Sequence, residues 1–112
     1  MDFNSGTLGL KLAADGETVE MEARAPDHAI GEGWVHMAVL TTMGEVAAAY
    51  AVGGPVIPAS LSAHFLRPAP LGKLTAKGRV LKQGRRLCTG EGEVYSGDTL
   101  VAKVTVSFAV MK

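Results

Sequence analysis

The stretch GWVHMAVLTTMGEVAAAYA, residues 33–51, constrains the fold more than any other part of the chain. Ala, Leu, Met and Glu are good helix formers, and Gly53, Gly54 and Pro55 supply a stop. The sequence therefore predicts one helix over residues 34–52, a rod of about 28 Å at the standard rise. Apolar or small residues stand on nearly every side of it, so most of its circumference is expected to be buried. The only acid within it, Glu45, has no Lys or Arg beside it in the sequence. A carboxylate in apolar surroundings is costly unless it is paired, hydrogen-bonded or protonated. Either the face carrying Glu45 is wet, or the carboxylate has a use.

Around this helix the chain reads as strands. Residues 7–14 and 18–25 form an expected hairpin turned by Asp15 and Gly16. In its second arm Val19, Met21, Ala23 and Ala25 alternate with polar residues, the pattern of a half-buried strand. PDHAIGEG, ahead of the helix, reads as a loop. After the helix, Ala59, Leu61, Ala63 and Phe65 alternate with Ser60, Ser62 and His64. Leu74, Ala76, Gly78 and Val80 alternate with Lys73, Thr75, Lys77 and Arg79. Residues 85–95 have a weaker pattern, and YSGDT reads as a hairpin turn. The last strand carries Leu100, Ala102, Val104, Val106, Phe108 and Val110 on one face. The expected order is β-β-α-β-β-β-β, an α+β domain over residues 1–112 with an antiparallel sheet curled around one long central helix.

Charge narrows the function. Eleven basic and eleven acidic residues cancel, so no global field draws nucleic acid or an anionic membrane. Cys88 is the only cysteine, which excludes an internal disulfide and any multi-cysteine metal site. No apolar run reaches the ~18 residues needed to span a bilayer. MDFNSGTLGL lacks the basic and long apolar parts of a signal peptide. The expectation is a soluble, cytoplasmic protein that uses neither metal nor cofactor.

Three segments carry a resemblance. GWVHMAVLTTMGEVAAAYA resembles a Gly-x-x-His-Gly-Gly motif followed, nine residues after the His, by an acid within a helix; His36 and Glu45 have that spacing. LSAHFLRPAPLGKLTAKGRV resembles the strand, Arg-Pro and Gly-x-Leu segment of the same family. QGRRL and GDTLVAKVTVSFAV resemble its last strands. Over residues 8–110 the chain thus resembles the hotdog-fold acyl-CoA thioesterases of the phenylacetate-degradation and 4-hydroxybenzoyl-CoA type. It departs from them at Met37 and Ala38, where the family has glycines, and at Ile30, where the family has Asn.

The resemblance implies acyl-CoA as the substrate and a site shared between subunits. Glu45 is then the general base or the nucleophile, His36 stands at the site, and the Met37 N–H is the candidate oxyanion donor at the helix N-terminus. The helix geometry makes the same demand of the assembly. Nine residues place His36 and Glu45 about 13 Å apart along a helix axis and on opposite sides of it. If both serve one site they come from different subunits, in a homodimer or a dimer of dimers with two antiparallel helices at a two-fold axis. Arg67, Lys82, Arg85 and Arg86, with Gly84 in the same turn, are candidate contacts for the phosphates of coenzyme A. Trp34, Met37 and Leu40 line an acyl pocket or pack the interface.

Structural readings stand beside each of these. Glu45 serves as a hydrogen-bonded carboxylate at a dimer seam, or His36 as a helix cap. His64 belongs to the opposite sheet face, Ser60 and Ser62 lack a neighbouring base, Cys88 is an inert strand residue, and the cations form a solvated hairpin. A hotdog module that binds acyl thioesters or a protein partner without turnover is the main alternative. A hydratase or dehydratase using Asp27 and His28 is another.

Overall fold

The computed structural model describes residues 9–111. Thr7 and Leu8, where the expected first strand and the resemblance begin, lie outside the described residues, as does the rest of MDFNSGTL. The elements are β1 (Lys11–Leu12), β2 (Val19–Ala23), β3 (Ala29–Ile30), β4 (Trp34–Val35), α1 (Met37–Val52), β5 (Val56–Phe65), β6 (Gly72–Gln83), β7 (Leu87–Ser96) and β8 (Thr99–Val110). Six strands make one sheet in the order β1-β2-β6-β7-β8-β5, every pair antiparallel, and α1 packs across β6, β7 and β8.

Alternation fixes which face meets the helix. Val104, Val106 and Phe108 of β8 are fully buried, as are Leu74 and Ala76 of β6 and Val94 of β7. The β5–β8 register sets Leu61, Ala63 and Phe65 opposite Val106, Val104 and Ala102, so all six share the helix side. His64 faces Lys103, Ser62 faces Thr105 and Ser60 faces Ser107 on the outer side. The turn into β2 is tied by Asp15, whose Oδ2 accepts the Thr18 hydroxyl at 2.6 Å and whose Oδ1 accepts the Thr18 and Glu17 N–H groups at 2.8 Å. The Thr18 bonds are the main reason its carboxyl is lowered to about 2.

Small residues let helix and sheet backbones touch. A methyl group placed on Gly92 would meet the Gly44 carbonyl oxygen, and one on Gly78 would meet that of Ala47. The helix ends at Gly53, which caps it at φ 70° and donates its N–H to the Ala49 carbonyl at 2.9 Å.

Three expectations need correction. The helix has 16 residues and starts at Met37 rather than at residue 34. Trp34 and Val35 are instead drawn into an extended ladder with Ala29 and Ile30, and the Val35 N–H donates to the Ala69 carbonyl at 2.8 Å. This two-stranded ladder puts β3 inside the segment read as a loop and β4 at the expected start of the helix. Third, only seven helix residues are buried, all on the sheet side. The opposite flank, with Met37 and Ala38 exposed and Thr41, Thr42, Glu45 and Ala49 half-buried, has no cover among the described residues. The sheet edge beside it is also open: Ile57, Leu61 and Phe65 of β5 are exposed.

Candidate active site

The start of α1 is pinned from both sides. Val35 is held by Ala69, the His36 N–H donates to the His28 carbonyl at 2.8 Å, and the Leu71 N–H donates to the Gly33 carbonyl at 3.0 Å. His36 is the N-cap, with extended backbone (φ −67°, ψ 141°). Its Nδ1 accepts the Ala38 N–H at 2.9 Å, and its carbonyl accepts the Val39 N–H at 3.0 Å. An accepting Nδ1 carries no proton, so the neutral ring has its hydrogen on Nε2. Of the first three N–H groups of α1, only that of Met37 has no acceptor among the described residues. It stands at the positive end of the helix dipole, where an anion is favoured.

Glu45 sits two turns further on, on the uncovered flank. The ion pairs among the described residues all lie on the outer sheet face: Arg79 with Glu91 at 3.0 Å, and Lys103 with Glu93 at 3.3 Å and Glu91 at 4.0 Å. None reaches Glu45. Burial alone raises its carboxyl from the ordinary value. Because His36 caps the helix instead of continuing it, its side-chain direction does not follow the helical period. The axial separation remains, about 12 Å over the eight residues from Met37 to Glu45. Within one subunit the free N–H and the acid do not meet.

The cationic residues fall at two ends of the sheet. Arg67 follows β5, and its N–H donates to the Val101 carbonyl at 3.4 Å. The Arg86 carbonyl accepts the Val110 N–H at 2.9 Å. Nine residues of β8 separate those points, about 30 Å of strand. Arg67 therefore shares the helix N-terminal end with Trp34, His36 and Met37, whereas Lys82, Gly84, Arg85 and Arg86 lie at the far end. All four cations are exposed. Cys88 is buried there, its thiol donating to the Gly84 carbonyl at 3.5 Å. His28 Nδ1 accepts the Arg24 N–H at 2.9 Å, so this imidazole fastens its own loop, while Asp27 beside it is exposed.

Of Trp34, Met37 and Leu40, expected to line an acyl pocket or pack the interface, Met37 and Leu40 line a cleft and Trp34 does not, while Ile30, Phe65 and Leu66 join it without having been expected there from the sequence. This apolar cleft of about 270 Å³ opens beside Met37, walled by Ile30, Val35, Leu40, Phe65 and Leu66, with Arg67 among its lining. The signal was present in HFLRP, where large apolar residues run past the end of an alternating strand. Among the described residues no three metal-type ligands come together, and no helix is long and apolar enough to cross a membrane.

The model of the thioesterase superfamily matches residues 32–103, from the loop ahead of β4 into β8. The chain belongs to the thioesterase superfamily. Its sheet wrapped on one helix is the hotdog fold, and solved structures agree over nearly the whole length. A variant of the phenylacetic acid degradation protein PaaI from Thermus thermophilus is 30% identical, with a TM-score of 0.86, covering 99% of this chain and 100% of that one. A phenylacetic acid degradation-related protein from Ralstonia eutropha is 27% identical, with a TM-score of 0.82 and coverage of 98% and 91%. A Bacillus halodurans protein solved with CoA is 24% identical, with a TM-score of 0.83 and coverage of 99% and 76%. Among curated proteins none matches the chain.

Proposed function

We propose that this member of the thioesterase superfamily is an acyl-CoA thioesterase working as a homodimer, with Glu45 of one subunit and the Met37 N–H of the other at each site. The observation that carries the reading is Glu45 itself: a half-buried acid on an uncovered helix flank, without a cation, its carboxyl raised by burial. A group in that state costs stability and is a stronger base than an ordinary carboxylate.

What lies open supports the dimer. An exposed ten-residue edge strand is a liability that proteins cover, and here β5 borders the bare flank of α1. A two-fold axis beside β5 would cover edge and flank together and set two α1 helices antiparallel. The 12 Å between Met37 and Glu45 is then spanned by crossing to the partner. The Bacillus halodurans relative, solved with CoA, supports coenzyme A as the carrier.

In the reaction Glu45 takes a proton from water as the water oxygen bonds to the thioester carbonyl carbon. The Met37 N–H donates to the developing oxyanion, worth on the order of 10²–10³ in rate for one such donor. The C–S bond then breaks, and the thiolate of coenzyme A leaves and is protonated. Alternatively Glu45 attacks the carbonyl itself and water opens the resulting anhydride. A single turnover in ¹⁸O-water tests the second route, because label in the Glu45 carboxylate arises only when water opens the anhydride at its Glu45 carbonyl. The primary test is thiol release from a panel of acyl-CoAs by the wild type and by Glu45→Gln. Turnover lost by at least ~10²-fold in the variant supports the reading. Binding of acyl-CoA without turnover by the wild type would make the protein a non-catalytic module instead.

A further inference from the structure

The cleft beside Met37 has a composition that a thioester site does not require. Its wall is made by Ile30 on β3, Leu40 on α1, and Phe65 and Leu66 at the end of β5. Ile30, Phe65 and Leu66 are exposed although large and apolar, and they converge on one hollow rather than being scattered. Met37, whose N–H is the free donor of the helix start, stands in the same lining. A carbonyl oxygen held at that N–H therefore has an apolar hollow beside it.

A thioester offers two substituents to fill that hollow. The pantetheine arm carries two amides, and an amide moved into apolar surroundings without a partner loses about 1–3 kcal/mol. The acyl chain carries no such groups and gains on entering. Arg67 is the one ionisable residue of the lining, and it also borders the polar groove of Asp98 and Thr99, so its charge has a wet outlet away from the apolar wall.

We propose that this cleft selects the acyl group: an uncharged apolar chain or ring of limited size, with Leu66 and Phe65 setting the limit. The inference rests on the thioesterase reading above. The hollow of one subunit, about 270 Å³ before a partner covers Phe65 at the β5 edge, holds up to roughly nine water-sized groups at about 30 Å³ each. Medium chains fit and long ones do not.

The test is kcat/KM across acetyl, butyryl, hexanoyl, octanoyl and dodecanoyl thioesters, each on coenzyme A and on N-acetylcysteamine. The expected result is a rise of roughly fourfold per added methylene, as each is buried, up to hexanoyl or octanoyl, and then a fall at dodecanoyl. The profile should keep its shape on the truncated carrier. Leu66→Trp, which fills the cleft, should lower the octanoyl-to-butyryl ratio at least tenfold. Phe65→Ala, which widens it from another wall, should move the optimum to longer chains, so the proposal stays testable if one variant fails to fold. Several outcomes overturn it: a flat chain-length profile, as when a second copy of the chain fills the cleft; a profile lost on the truncated carrier; or preference for an ω-carboxylated chain over its methyl-ended equivalent, which would make Arg67 the selector. Turnover without chain-length dependence removes only this inference. No turnover of any thioester removes the thioesterase reading and this one with it.

Discussion

Gly92 of β7 lies so close beneath Gly44 of α1 that a methyl group on it would meet the Gly44 carbonyl oxygen. This contact fixes the height of the helix over the sheet one residue before Glu45. Gly92→Ala must therefore lift the helix, and over-packing of this kind costs about 1–3 kcal/mol. The obstacle is backbone on both elements, which places the cost at the upper end, near 3 kcal/mol. Chemical denaturation of the variant should show a lowered midpoint, and turnover should fall with it as Glu45 is displaced. An unchanged midpoint would mean that the helix has freedom to shift.

His36 holds the Ala38 N–H at 2.9 Å through Nδ1. Removing a cap costs roughly 1 kcal/mol, and Asn makes the same bond with its side-chain oxygen. His36→Ala should lower stability by about that amount and His36→Asn should restore it. If turnover also returns with Asn, His36 acts on the reaction by positioning the helix start. If stability returns while turnover stays low, the imidazole has a role in the reaction beyond the cap.

The strand of residues 100–110 was legible because one face of it is buried, which leaves period-two alternation in the sequence; residues 59–65 alternate as well, although Leu61 and Phe65 stay exposed in the single subunit. Glu45 was legible because a lone acid in a long apolar run is conspicuous. The ladder of Ala29 and Ile30 with Trp34 and Val35 was not, since two-residue strands carry no period. The helix start was placed too early because Trp34 and Val35 are tolerable in a helix, and what withdraws them is the distant Ala69 carbonyl. The separation of Arg67 from Arg85 and Arg86 depends on strand register. The cleft joins Ile30 to Phe65 and Leu66, residues that only the tertiary fold brings together.

The raised carboxyl of Glu45 makes a signed statement about pH. A folded state that holds the Glu45 proton above the ordinary 4.5 binds it more tightly than the unfolded chain does. Stability therefore falls as pH rises through the window from 4.5 to the folded value, and the deficit persists above it. Below 4.5 the deficit is absent. Glu45→Gln carries no such penalty, so it should be at least as stable as the wild type at pH 7, with the difference shrinking as the pH falls through that window towards 4.5 and gone below it. Urea midpoints of both proteins at pH 7 and pH 4 would check this. The ionised form is the base, so kcat/KM of the wild type should rise with pH along an acid limb lying above the ordinary carboxylate range. A limb at the ordinary value would place Glu45 in open water during catalysis.

A site shared across the two-fold axis predicts complementation. Met37 is the first helical residue, where Pro is tolerated, and the extended backbone of His36 is what a following Pro requires. Met37→Pro thus removes the proposed oxyanion donor while keeping the helix, and should lower kcat by on the order of 10²–10³. Met37→Ala keeps the N–H and should lose far less. Glu45→Gln disables the other half of the site. In a heterodimer of the two inactive chains, one site receives both defects, and the other receives the intact Met37 of one subunit and the intact Glu45 of its partner. Unfolding and refolding an equimolar mixture gives half heterodimers, each with one working site, so about a quarter of wild-type activity should return. The homodimers refolded alone should stay inactive, and sedimentation should show the mixture to be dimeric or a dimer of dimers. If the mixture regains nothing although heterodimers form, the Met37 N–H and Glu45 do not meet across the interface and the shared site is wrong.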